Sequence, residues 1–191
     1  MSTKLKGSQT EKNLLTAFAG ESQARERYNL FAKQAKRENL EYLMTIFDET
    51  ASHEYAHARR LFSFLEGGDV EITASYPAGK VGTTLENLKS AMAGEHHEAF
   101  EMYPSMAEVA ESEGFKDVAQ AMRNIAHAEE YHENRYKEFI ERLESNMMFR
   151  NETPIEWRCL ECGYHLTGTV APMKCPACAA SQDHYQKLPL L

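Results

Sequence analysis

One pattern occurs twice in this chain. Ala51-x-x-Glu54-x-x-His57 recurs as Ala126-x-x-Glu129-x-x-His132, and Ala19-Gly20-Glu21 recurs as Ala93-Gly94-Glu95. The two offsets differ by a single residue. Each copy lies within a long stretch of helical periodicity, so the repeating unit is a hairpin of two helices. A duplicated hairpin predicts a four-helix bundle with an approximate two-fold axis. Whatever is built at its centre is built in two similar halves.

The apolar stripes place these helices. The first is expected from about Thr10 to Lys36, with Leu14, Phe18, Ala24, Tyr28, Phe31 and Ala35 facing inward. The second runs from about Leu40 to Glu66, with Leu43, Phe47, Thr50, Leu61 and Phe64 inward, until Gly67-Gly68 stops it. The third begins near Thr84, carries Leu88, Met92, Ala99, Met102, Met106 and Val109, and ends at Gly114. Pro104 lies inside it and predicts a kink, because proline lacks an N–H and collides with the carbonyl four residues back, at Phe100. The fourth runs from about Lys116 to Ser145, with Val118, Met122, Ile125, Tyr136, Phe139 and Leu143 inward. Tight links join the first pair and the second pair, and residues 69–83 form a longer crossover with Pro77, Gly79 and Gly82. Two short hairpins and one long crossover are the ferritin-like form of the four-helix bundle. The bundle is expected over residues 1–146, a linker over 147–156 and a small domain over 157–191.

Each stripe is interrupted by polar residues. Glu21 fills the gap in the first helix, and Glu54 and His57 fill it in the second. Glu95 and Glu98 do so in the third, and Glu129 and His132 in the fourth. Glu98 has no equivalent in the first helix, where the repeat gives Ala24. A buried carboxylate is costly unless it is paired, and several together repel one another. No Lys or Arg lies on the stripes, and Arg25 and Arg60 only flank them. Two multivalent cations would balance this core, and glutamate with imidazole suits iron, manganese or zinc. One Glu from each of two helices plus Glu-x-x-His from each of the others is the di-metal pattern of ferritin-like bundles. Tyr28 and Tyr103 lie a turn or two beyond these positions, either as plain core tyrosines or as partners of a ligand carboxylate. His53, His96, His97, His127, Glu101 and Glu130 fall off or at the margin of the stripes and read as solvated.

All four cysteines sit near the C-terminus as Cys159-x-x-Cys162 and Cys175-Pro-x-Cys178. Two such knuckles hold one zinc or iron ion on four thiolates. Gly163 and Pro176 shape them, while His165 and His184 read as surface residues. The opening MSTKLKGSQTEKN lacks the apolar run of a secretory signal, and no segment approaches the roughly 18 apolar residues of a membrane span. The expected location is therefore the cytoplasm, where paired cysteines bind metal rather than cross-link. A net charge of −8 argues against a nucleic-acid partner.

With both constellations placed, the chain resembles the rubrerythrin family along essentially its whole length. The likeness rests on KGSQTEKNLLTAFAGESQARERY, HARRLFSFLEGGD, AGEHHEAFEMYPS, AEEYHENRY and WRCLECGY with CPAC. It implies a peroxidase that reduces hydrogen peroxide to water at a di-iron site, as an oxidative-stress defence. Electrons would come from rubredoxin or an NAD(P)H-dependent reductase and pass through an iron on Cys159, Cys162, Cys175 and Cys178. By the same likeness Glu21, Glu54, Glu95, Glu98, Glu129 and His132 hold two irons when oxidised, and His57 replaces Glu98 on one iron when reduced. Glu98 and His57 are thus the expected catalytic pair. A head-to-tail homodimer is implied, one copy's thiolate iron lying near the other's di-iron site. The sequence departs from the family at Ala179, where a Gly often follows the last cysteine. Two other readings stay open: a ferroxidase or oxidase using O2, and an iron-binding or redox-sensing bundle with a structural zinc ribbon.

Overall fold

A computed structural model describes residues 4–188. Helix α1 spans Gln9–Arg37 and α2 spans Glu41–Phe62. Ser8 opens α1 by accepting from Glu11 N at 3.0 Å, while Glu11 reaches back to Gly7 N at 2.7 Å. The helix ends where Asn39 takes a left-handed φ of 55°. Helix α2 stops at Phe62, short of the expected Glu66. The Ser63 hydroxyl donates to Arg60 O at 2.6 Å, offering the backbone an alternative to further helix before Gly67 and Gly68 are reached.

An irregular crossover leads to α3, Thr84–His97, which starts at a capping box between Thr83 and Glu86. The third helix is then not merely kinked. Residues Glu98–Met102 form a π-turn, and α4 resumes over Tyr103–Ser112 with Pro104 in its first turn. The wide turn inserts one residue, so the buried face beyond it moves on by one. Tyr103, Ala107 and Ala110 are buried where the period predicts Met102, Met106 and Val109, which are half-buried instead. A π-turn also suits the proline, whose missing N–H leaves the α pattern unfinished there. Gly114, at φ 87°, separates α4 from α5, Lys116–Glu144.

The bundle interior has three layers. Tyr28, Phe31, Leu43, Phe47, Leu88, Tyr136 and Phe139 form one apolar layer. Leu14, Leu61, Tyr103, Met122 and Ile125 form another towards the opposite end. The buried carboxylates lie between, walled off from water by greasy layers on both sides.

The small domain is a three-stranded antiparallel sheet in the order β2-β1-β3: β1 Arg150–Cys159, β2 His165–Val170 and β3 Tyr185–Leu188. Its first strand begins inside the segment that the sequence reads as linker. Ile155, Trp157, Ala171 and Tyr185 form its core, and Trp157 Nε1 donates to Gly168 O at 2.9 Å. Phe149 packs against both this core and the first bundle layer, and Lys187 pairs with Glu138 of α5 at 2.9 Å. Among the described residues no helix is long and apolar enough to cross a membrane.

Candidate metal centres

Helical spacing aims the interrupting residues inward at one level of the bundle. Glu21, Glu54, Glu95 and Glu129 are each no more than 1% exposed, and His132 is 2% exposed. They form two groups, each with its ligand atoms within 4.8 Å of one another: Glu21, Glu54, His57 and Glu129, and Glu54, Glu95, Glu129 and His132. Glu54 and Glu129 belong to both, so two ions held by these groups would share those two carboxylates. Glu98 lies outside both groups and is half-buried.

Apart from a hydrogen bond of 3.1 Å between His57 Nδ1 and Glu54 Oε2, the donor atoms converge without satisfying one another. Glu21 Oε2, Glu54 Oε1, Glu95 Oε2, both Glu129 oxygens and His132 Nδ1 are buried with no hydrogen-bond partner among the described residues. His132 Nδ1 comes within 2.7 Å of Glu129 Oε2, yet off the hydrogen-bond direction. Lone pairs pointing at shared centres rather than at each other fit two cations. The electrostatics agree. Burial, with Glu129 and Glu95 close by, pushes the Glu54 carboxyl well above its ordinary range. Burial also raises Glu95, to about 7, against its contacts with His132 and Tyr28. Burial pushes Glu129 up too, but His132 and His57 outweigh it and hold it at about 2. Burial alone would lower both histidines; instead Glu129 and Glu95 lift His132 to about 9, and Glu129, Glu21 and Glu54 lift His57 further. Protons thus take the place of metal charge when none is bound.

Both tyrosines serve the carboxylates. Tyr28 donates to Glu95 Oε1 at 2.5 Å, and Tyr103 donates to Glu21 Oε1. Each crosses to the other hairpin, so the pair respects the pseudo-two-fold. His53, read from the sequence as solvated, is half-buried and lies 3.1 Å from the outer nitrogen of His132. Its i, i+4 spacing to His57 was the available signal. His53, Ala56, His57, Ala128, Tyr131 and His132 line a groove of about 510 Å³ between α2 and α5 that opens to solvent.

In the small domain the four sulfurs also lie within 4.8 Å of one another. Cys159 and Cys178 are 3.8 Å apart, and Cys162 and Cys175 are 3.7 Å apart. Those gaps are too long for disulfides. They match the edges, about 3.8 Å, of a tetrahedron with metal–sulfur bonds of about 2.3 Å. Gly163 and Ala179, one residue after each knuckle, take left-handed φ values of 75° and 63°.

A bundle with two overlapping carboxylate–imidazole groups that share Glu54 and Glu129, joined to a four-thiolate knuckle domain, defines a ferritin-like di-iron protein with a rubredoxin-like module. The rubrerythrin family model matches residues 12–140, and the model described as "Rubrerythrin, rubredoxin-like domain" matches residues 157–186. Rubrerythrin of Nitratidesulfovibrio vulgaris is 52% identical over 184 residues, 96% of each chain. Rubrerythrin of Porphyromonas gingivalis is 50% identical, over 98% of this chain and 94% of that one. A solved structure of nigerythrin, in its fully reduced, all-ferrous state, superposes with a TM-score of 0.64 at 27% identity, covering 96% of this chain and 91% of that one. The chain belongs to the rubrerythrin family, with a di-iron carboxylate–histidine site in the bundle and a rubredoxin-like four-cysteine site beyond it.

Proposed function

We propose that the bundle site reduces hydrogen peroxide to water with electrons delivered through iron at the four cysteines. The observation that carries this reading is the surplus of ligands around the first group. His57 stands inside it, 2.9 Å from Glu129 Oε1, while Glu98 waits outside. A redox centre changes charge as it turns over, and trading an anionic carboxylate for a neutral imidazole offsets part of that change. The two irons, when bound, supply the electron pair that breaks the O–O bond.

Within that scheme Glu21, Glu54, Glu95, Glu129 and His132 are the standing ligands, and Glu98 and His57 alternate. Burial, with Glu21 and Glu95 nearby, pushes the Glu98 carboxyl well above its ordinary range. When displaced it therefore holds a proton that a departing water can take. Tyr28 and Tyr103 fix the orientation of Glu95 and Glu21. The groove gives a small, neutral substrate a path to His57. The thiolate centre serves as electron inlet, filled by a rubredoxin or an NAD(P)H-dependent reductase. A head-to-tail second copy, in the cytoplasm, brings a partner thiolate centre near this site.

The test mixes the anaerobically reduced, iron-loaded chain with peroxide and, separately, with O2, and follows reoxidation by absorbance. Oxidation much faster with peroxide supports the reading. Equal or faster oxidation with O2 overturns it in favour of an oxidase or ferroxidase. Elemental analysis finding zinc at the cysteines, rather than about three irons per chain, removes the internal inlet.

A further inference from the structure

Each half of the bundle supplies one imidazole to the centre, but the two rings are held differently. His132 turns Nδ1 inward, 2.7 Å from Glu129 Oε2 and 3.4 Å from both Glu54 Oε1 and Glu95 Oε2. Its outer nitrogen, Nε2, lies 3.1 Å from His53 Nδ1. The rings are tilted by only 10° with centres 5.2 Å apart, so this contact runs edge to edge, close to the line of centres. That is the geometry of a hydrogen bond in the ring planes, not of overlapping faces. His57 also turns Nδ1 inward, 3.1 Å from Glu54 Oε2. Its outer nitrogen has no hydrogen-bond partner among the described residues.

The internal repeat gives the reason. His53 immediately precedes Glu54, and the corresponding residue before Glu129 is Ala128. Both line the same groove, but a methyl group accepts nothing. The pseudo-two-fold is therefore broken at the one position that could anchor the outer edge of each ring.

We propose that His53 is a positioning residue that locks His132 as a permanent ligand, and that Ala128 leaves His57 without the same outer anchor. A ligating Nδ1 must carry a lone pair, so the His132 proton sits on Nε2 and is donated to His53 Nδ1. His53 then keeps its own proton on Nε2. A partner of this kind fixes both ring orientation and tautomer, which strengthens the metal bond. His57, the imidazole proposed above to exchange with Glu98, is thus the one of the two that lacks an outer partner. The inference rests on the di-metal reading of the bundle.

The experiment titrates Co(II) into the metal-free full chain. The d–d absorption reports the bundle, and the sulfur charge-transfer bands report the cysteines separately. The unmodified chain takes up two cobalt ions in the bundle. In His53→Ala one of them binds roughly 10- to 100-fold more weakly. His53→Gln, whose side-chain carbonyl accepts the same proton, restores most of the loss. Ala128→His, which adds an acceptor opposite His57, slows release of the other cobalt. Unmodified affinity in His53→Ala, or a Gln variant no better than Ala, overturns the role of His53. Unchanged release from Ala128→His overturns the role of Ala128. No bundle cobalt in the unmodified chain overturns the di-metal reading itself, and the positioning claim with it.

Discussion

Removing metal should turn the bundle into a base-sensitive protein. His132 has its ordinary value of 6.5 when unfolded and about 9 when folded. A group raised by folding lends stability in full below its unfolded value and loses it as pH climbs through the folded one. At about 1.4 kcal/mol for each pH unit, the change from 6.5 to about 9 is roughly 3 kcal/mol. Its ring is 3% exposed at the side chain, so solvent screening removes little of this. His57 is raised as well, and acts in the same direction. Glu54 and Glu98, held above their ordinary range, also favour the protonated folded form, so rising pH costs stability there too. In this layer Glu129 and His53 oppose: the Glu129 window, from 4.5 down to about 2, lies well below, while His53, lowered by burial and by His132, adds a rise that is complete just above its ordinary 6.5. The assay is urea unfolding of the chelated full chain at pH 6, 7.5 and 9, followed by helical circular dichroism. Stability should fall by several kcal/mol across the series. With metal bound, the cations replace the protons as counter-charge and the fall should disappear. A chelated protein whose stability is flat or rising from pH 6 to 9 refutes this account of how the empty core is balanced.

Other expectations are more local. Ala179 holds a left-handed φ of 63° that an L side chain adopts at a cost, so Ala179→Gly should stabilise the small domain by roughly 0.5–1 kcal/mol. A higher guanidinium midpoint for loss of the thiolate–metal absorption would show it. Glu98→Ala should leave bundle iron content near two per chain while slowing peroxide-driven reoxidation at least ~10-fold. Stopped-flow rates equal to those of the unmodified chain would exclude the proton and ligand-exchange roles. Tyr103→Phe and Tyr28→Phe each remove a buried donor to a cluster carboxylate and should each cost roughly 1.5–3 kcal/mol. Urea midpoints measure that, and a loss in only one variant would contradict the crossed, symmetric arrangement of the pair.

The sequence made the central layer legible because burying charge is so costly that few explanations survive. Glu21, Glu54, Glu95, Glu129, His57 and His132 stand on apolar stripes in the sequence and converge in the structure. The four cysteines were equally plain, since knuckle spacing alone brings their sulfurs together. What escaped was local geometry that periodicity averages away. A 3.6-residue period carried through Glu98–Met102 assigns Met102, Met106 and Val109 to the core, whereas the π-turn advances the buried face to Tyr103, Ala107 and Ala110. Yet the sequence holds a trace of it. The second copy of the Ala-x-x-Glu-x-x-His pattern sits one residue further on than the second copy of Ala-Gly-Glu. Tyr28 follows Glu21 by one residue fewer than Tyr103 follows Glu95, which places the extra residue before Tyr103, where the wide turn lies. The insertion does not disturb the pseudo-two-fold. It lets Tyr103 reach Glu21 as Tyr28 reaches Glu95, while the widened backbone sets Glu98, the one acid with no counterpart, beside the cluster and outside it. A π-turn in an otherwise regular helix is costly in backbone hydrogen bonding, and such turns gather at functional sites. Here the added residue keeps Tyr103 in reach of Glu21, and Glu98, which stands where the first copy has Ala24, opens the same wide turn.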